Sequence, residues 1–309
     1  MSFLMKNEYG RLSLKAVMEL AAPHTWGASI MPVILGSVLS LAFTGTFSFA
    51  LFYSLLLTSV FLQCAVNTFN DYSDFIKGTD TEENSDDPSD APIVSNKINP
   101  NHAFRFGMLF LLLAFISGLY TLLTAGWELL IFGGIGVAVV ILYSFGKKPA
   151  AYLPIGEMVS GFTMGGIIPL ACFYAYTGIF DLRILFYSIP LIMTIGMIMF
   201  TNNLSDIERD SEVGRKTLPI LIGRENSKKL HLVIVVIIAV IMLVFVYKYF
   251  IKGMPLTPLA LILIFFPEYW ILKGGLVPEV RKNSMQGIIQ IHWRLNLMYI
   301  AMIVANTIQ

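Results

Sequence analysis

Charge is what this sequence has least of. Asp, Glu, Lys and Arg make up 13% of its residues, where a soluble domain carries about 25%. Cysteine is nearly absent too: Cys64 and Cys172 both lie in apolar stretches, which excludes a disulfide framework and favours small core residues. No Cys/His cluster has zinc spacing. There is no P-loop, so nothing points to nucleotide hydrolysis. The acidic stretches lack the Gly at six and Glu at twelve of an EF-hand. The first residues, MSFLMKNEYGRLSLK, hold no apolar run followed by a small-residue cleavage site, so no cleaved signal is expected. A net charge of +1 argues for neither a nucleic acid nor an acidic partner.

What is present is grease. Hydrophobic residues are 56% of the chain, gathered in blocks of about 18 to 23, the length that spans a roughly 30 Å hydrocarbon core. The blocks predict an all-α polytopic membrane protein of nine transmembrane helices, at about 20–43, 48–69, 102–124, 128–145, 156–177, 182–202, 229–250, 256–273 and 288–308. Pro267 and Glu268 interrupt the eighth; His292, Arg294 and Asn296 burden the ninth. With a cytoplasmic N-terminus, 18 of the 21 Lys and Arg residues fall inside, leaving Arg183, Lys248 and Lys252 outside. So uneven a split supports that orientation. No low-complexity linker divides residues 1–309, which read as one domain in a cell (plasma) membrane.

The acids crowd into two predicted cytoplasmic loops, about 70–101 and 203–228. Asn70-Asp71-x-x-Asp74 closes the second helix, and Asn202-Asn203-x-x-Asp206 closes the sixth, 132 residues later. This reads as a bundle of two related halves with a site between them. Asp71 and Asp74 are three apart, Asp206 and Asp210 four apart, so each pair shares a face if its helix continues. Carboxylates near hydrocarbon are costly, and like charges on one face add repulsion. A divalent cation relieves both penalties, and Mg²⁺ takes carboxylates, waters and phosphate oxygens. The same loops carry bases: Lys147 and Lys148 in YSFGKKP, Arg215 and Lys216 in GRKTLP. Two other readings stay open at this point: solvated loop acids, and a cation-coupled transporter. The latter would place its ionisable groups near the midplane rather than at one face.

Three stretches, NDYSDFIKGTDTEE, YSFGKKPAAYLPIGE and NNLSDIERDSEVGRKTLPILIGRE, resemble the UbiA superfamily of intramembrane aromatic prenyltransferases. They are most similar to its 1,4-dihydroxy-2-naphthoate branch, which makes (demethyl)menaquinone. The resemblance implies Mg²⁺-dependent transfer of a polyprenyl group from its diphosphate to an aromatic acceptor. For the 1,4-dihydroxy-2-naphthoate acceptor, decarboxylation accompanies transfer; 4-hydroxybenzoate, homogentisate and haem are the alternative acceptors. It implies Asp71, Asp74, Asp206 and Asp210 as metal-bridging acids. Asn67, Asn70, Asn203, Lys148, Arg215 and Lys216 would hold the diphosphate, with Lys147 a weaker candidate. Tyr143, before GKKP, would face the allylic cation, with Phe69, Tyr72, Phe145 and Tyr174 as further aromatics. Two departures stand out. The last acid of the first motif is displaced to Asp80. Asp90-Ala91-Pro92 replaces an Arg-Pro pair, leaving Lys97 or Arg105 as substitutes.

Glu157 reads as an orienting residue, an acceptor contact, or the partner of Lys148. His24 reads as an interface residue. His102 and His231, at predicted helix starts, read as caps or interfacial groups. His292, Arg294 and Asn296 read as headgroup-binding, interior or membrane-edge residues.

Overall fold

The structure is a computed structural model and describes residues 13–80, 91–144 and 149–307. Lys147, Lys148, Phe145, Asp90 and the acids from Glu82 to Asp87 lie outside the described residues. Among those described, every regular element is helical. In chain order these are α1 (Leu14–Ala21), α2 (Gly27–Thr44), α3 (Phe49–Lys77), α4 (Pro92–Ser95), α5 (Pro100–Ala125) and α6 (Leu129–Ser144). There follow α7 (Gly156–Phe162), α8 (Ile168–Thr177), α9 (Arg183–Tyr187), α10 (Ile189–Ser205), α11 (Ile207–Glu212) and α12 (Leu218–Ile222). The chain ends with α13 (Arg224–Tyr249), α14 (Thr257–Gly274) and α15 (Arg281–Thr307).

Among the described residues, seven helical stretches are long and apolar enough to cross a bilayer; Leu129–Tyr143 and Ile189–Ser205 are apolar but shorter. Several bounds differ from the sequence expectation. The first predicted helix is two. Ala22 adopts a left-handed conformation (φ 44°) and Pro23 follows it, so α1 stops and α2 starts afresh at Gly27. The second predicted helix runs on to Lys77, where Gly78 at φ 74° caps it, a left-handed position that glycine takes without steric cost. Pro267 does not break the eighth: α14 runs through it.

Packing follows the small residues. A turn of π-helix, Thr163–Ile167, joins α7 to α8. Gly161 and Gly165, four apart, lie on α10 so closely that a Cβ on them would fall 2.5 Å from the Ile192 carbonyl oxygen and 2.6 Å from its Cα. Such spacing lets helix backbones meet where no hydrophobic force drives them together. The main core joins α2, α8, α10, α13, α14 and α15 through Leu35, Phe173, Ile195, Met242, Ile264 and Tyr299. A second cluster joins α3 to α5 through Cys64, Phe69 and Phe110, and α1 seals the loop end of α5 through Leu20, Ile93 and Ile98. The two cysteines are free and buried.

Candidate functional site

Charge is brought together where the C-terminal ends of α3 and α10 meet the N-terminal ends of α7 and α15. A helix C-terminus already carries partial negative charge, which makes it a poor place for an acid. Both acidic motifs nonetheless sit there. Asp71 and Asp74 are half-buried on the last turns of α3. Asp206 is the residue that ends α10, so that helix does not continue through the second motif as α3 does through the first. The turn spacing survives the break, because the Asp210 amide donates to the Asp206 carbonyl at 2.9 Å. Asp206 and Asp210 are both buried.

Arginines neutralise this end. Arg215 Nη1 donates to Asp210 Oδ1 at 3.0 Å and Nη2 to Asp74 Oδ2 at 3.4 Å. One guanidinium therefore ties the first motif to the second. Its face lies 4.8 Å from the Tyr152 ring centroid, and Lys77 Nζ lies 5.1 Å from the same ring, cation–π distances both. Arg209 pairs with Asp80 at 2.9 Å, joining the displaced acid to the second motif. Arg281, from the start of α15, donates Nε to Asp206 Oδ2 at 2.8 Å and Nη2 to Asn202 Oδ1 at 2.7 Å.

The amides divide into two groups. Asn203 is buried and donates to Glu157 Oε1 at 2.8 Å, so Glu157 meets α10 here. Asn67 faces α1 instead: it donates to the Ala21 carbonyl and to Thr25 Oγ1, and accepts from Gln63. Asn70 is half-buried beside Asp71. Lys216 is exposed, and its amide is fastened to the Tyr152 carbonyl at 2.8 Å. Tyr143 stands where it feels the charges of Glu157, Arg215, Asp74 and Asp210. The other aromatics pack between helices: Phe69 and Tyr72 against Phe104, at 5.7 and 5.4 Å, and Tyr174 against Phe132 at 6.0 Å. Lys97 and Arg105 are exposed.

Burial pushes the Asp210 carboxyl up to about 6, and Asp206 adds to this while Arg215 pulls the other way. Burial opposes the charge on Arg215, but Asp210 and Asp74 outweigh it and hold the guanidinium above its ordinary value. Among the described residues, two oxygens in this region, Asp210 Oδ2 and Glu157 Oε2, are buried and have no hydrogen-bond partner, and neither does Arg215 Nε. Among the described residues no three acids, histidines or cysteines converge tightly enough to enclose an ion alone. An oxygen-only donor set with an orphaned carboxylate oxygen suits a hard cation shared with phosphate, the usual way Mg²⁺ is held.

Sequence reasoning passed over Tyr152, Arg209 and Arg281. Arg209 lay inside the second motif and was legible as its one base. Arg281 is 75 residues from Asp206, and nothing local marks it. His231, expected at a helix edge, is fully buried, with Nδ1 2.8 Å from Glu268 Oε1 and Nε2 3.0 Å from Thr201 Oγ1; the α14 acid opposite draws it inward. His292 and Asn296 are interior and meet Thr194.

Comparison with known proteins adds context. The profile described as the UbiA prenyltransferase family matches residues 29–284. The 1,4-dihydroxy-2-naphthoate octaprenyltransferase of Bacillus subtilis is 35% identical over 209 residues, covering 68% of this chain and 66% of that protein. The chain thus spans slightly under two thirds of that relative's length. UbiA prenyltransferase domain-containing protein 1 of Gallus gallus is 30% identical over 284 residues, 89% of this chain and 79% of that one. The solved structure of a UbiA homolog from Archaeoglobus fulgidus bound to GPP and Mg²⁺ superposes with a TM-score of 0.62 at 19% identity, covering 94% of this chain and 99% of that one.

Proposed function

The chain belongs to the UbiA prenyltransferase family, and from that premise we propose that it transfers a polyprenyl group from its diphosphate to a ring carbon of 1,4-dihydroxy-2-naphthoate. The observation that carries this reading is the Arg215 bridge: one half-buried cation gathers a carboxylate from each motif at one end of the bundle. The named activity of the Bacillus relative favours the naphthoate acceptor, and the Archaeoglobus homolog, in its title, binds GPP and Mg²⁺. Family membership favours the enzyme over the transporter.

The carbon–oxygen bond to diphosphate breaks with its electron pair leaving on diphosphate, the allylic carbon bonds to a ring carbon that gives up its proton, and the carboxylate-bearing ring carbon releases CO₂ and takes up a proton in its place. Asp71, Asp74, Asp206 and Asp210 would hold Mg²⁺, which when bound neutralises charge developing on the leaving diphosphate. Arg215, Lys216 and Lys148 would bind that diphosphate directly and stabilise its charge, Arg215 from the position its two carboxylate partners give it. Arg281 holds Asp206, and Arg209 holds Asp80, so both acid clusters keep their places. Asn203 and Glu157 fix α7 against α10 beside them, and Tyr143 offers a ring face to the cationic carbon. Asn70 supports Asp71; Asn67 fixes α1 against α3. The polyprenyl tail stays in lipid, between helices. The site faces the cytoplasm of a plasma-membrane protein whose two shorter apolar helices complete nine crossings within one domain.

The test combines purified protein, Mg²⁺, a polyprenyl diphosphate and 1,4-dihydroxy-2-naphthoate, with products identified by mass. Prenylated, decarboxylated product is expected from the wild type and none from Asp71→Ala or Asp206→Ala, both still inserted and folded. Full activity in both variants removes the carboxylate assignment. Product formed only with another aromatic acceptor moves the substrate, not the site.

A further inference from the structure

Away from the acids, α14 and α15 enclose a cleft of about 490 Å³. Its wall on α15 is a polar stripe, Gln286, Gln290 and Arg294, each one turn beyond the last, so all three share a face. Its wall on α14 is Phe266, Trp270 and Lys273. Gln286, Gln290, Phe266, Trp270 and Lys273 are exposed on the flank of two membrane-spanning stretches. Apolar side chains would be the default there.

Charge decides what the cleft receives. Among the described residues, Lys273 and Arg294 line it and no carboxylate does. The α14 acid, Glu268, is buried on another face against His231. Among the described residues Arg294 has no ion pair or side-chain hydrogen bond. An unpaired arginine within a span is costly, and such residues mark binding sites more often than not. Depth decides the source. Lys273 lies in the last turn of α14, its ammonium 4.7 Å from the Trp270 ring centroid and 5.8 Å from that of Tyr269. Trp, Tyr and Lys together mark the level of the membrane–water interface. Arg294 starts about 20 Å along α15 from Arg281. A helical side chain leans toward its own N-terminus and arginine snorkels the same way, so its guanidinium rises toward the two amides and Lys273.

The geometry points to this cleft as a binding site for the headgroup of an anionic phospholipid, its phosphate held by Arg294 and Lys273, the remaining headgroup oxygens by Gln286 and Gln290, and its acyl chains against Phe266 and Trp270. Basic clefts between membrane helices bind anionic headgroups by this combination.

Native mass spectrometry of the delipidated full chain tests it, with dioleoylphosphatidylglycerol and dioleoylphosphatidylcholine as probes. The wild type should retain the anionic lipid roughly tenfold better, the worth of one to two basic contacts. The preference should shrink in Lys273→Gln, an exposed helix-end change that leaves the bundle intact, and vanish in the Lys273→Gln/Arg294→Gln double variant. No preference in the wild type, or an unchanged one in Lys273→Gln, overturns the proposal. So does displacement of the lipid by millimolar inorganic phosphate, which would make the occupant a soluble anion.

Discussion

Asp210 is an acid held where its charge is poorly tolerated, and that has a measurable sign. Its carboxyl rises from 3.8 to about 6 in the fold. An acid whose folded value is raised stabilises the protein fully below its unfolded value and loses that contribution as pH climbs through the folded one. In metal-free protein this is worth on the order of 3 kcal/mol, about 1.36 kcal/mol for each unit. Metal-free wild type should therefore lose melting temperature relative to Asp210→Asn between about pH 4 and 7, read by thermal unfolding in detergent. If Asp210 is one of the proposed Mg²⁺ ligands, saturating Mg²⁺ should remove the difference above pH 6, since a cation would be held by the deprotonated form. Parallel melting curves for the two proteins would remove the assignment of strain to this carboxylate. At this scale the meeting of the two acidic motifs was legible in sequence, because a charged cluster ends two apolar runs at matching places. Their partners were not. Arg281 and Tyr152 reach the site only because helices distant in sequence converge, and no local pattern records convergence.

Helix α7 with its π-turn carries Glu157 to the site, and two glycines set its height on α10. Gly165→Ala would drive a methyl into the Ile192 backbone, 2.6 Å from Cα and 2.7 Å from N, atoms that cannot turn aside. The expected outcome is a loss of about 1–3 kcal/mol in stability, typical of an overpacked contact. Prenyl transfer should fall with it, as the Glu157–Asn203 bond opens. Gly133→Ala is the control: nothing lies within 4 Å of its Cβ position, and both thermal unfolding and activity should stay unchanged. Helix existence was readable from hydropathy almost throughout, since each span must satisfy its own backbone in lipid. Helix ends were less so. Ala22 takes a left-handed conformation without being glycine, and α3 outruns its expected end at residue 69 by about two polar turns, where Arg215, from elsewhere in the chain, pairs with Asp74.

On the scale of the whole molecule, two acid-bearing halves meet at one end, as the repeated Asn-Asp spacing implied, though the halves end their helices differently. Which side of the membrane that end faces rests on the distribution of Lys and Arg. A cysteine-free background, made by replacing the buried Cys64 and Cys172, allows a direct measurement. Ser211→Cys, on exposed α11 beside the acids, should react with a membrane-impermeant maleimide in inside-out vesicles and not in intact cells. Labelling of intact cells would invert the orientation.

Helix α1 carries none of the four motif acids, yet it laces together the chain around the first of them. Its last residues accept hydrogen bonds from Asn67 and Thr68 on α3, while Glu19 accepts one from Asn96, just past α4. The wall carrying Asp71 and the residue just past α4 are thus both pinned to one peg planted outside the acid cluster. Fusions, truncations or crosslinks at that peg would impair turnover as surely as damage to an acid, and a screen for inactive variants would find lesions there that no inspection of the chamber explains.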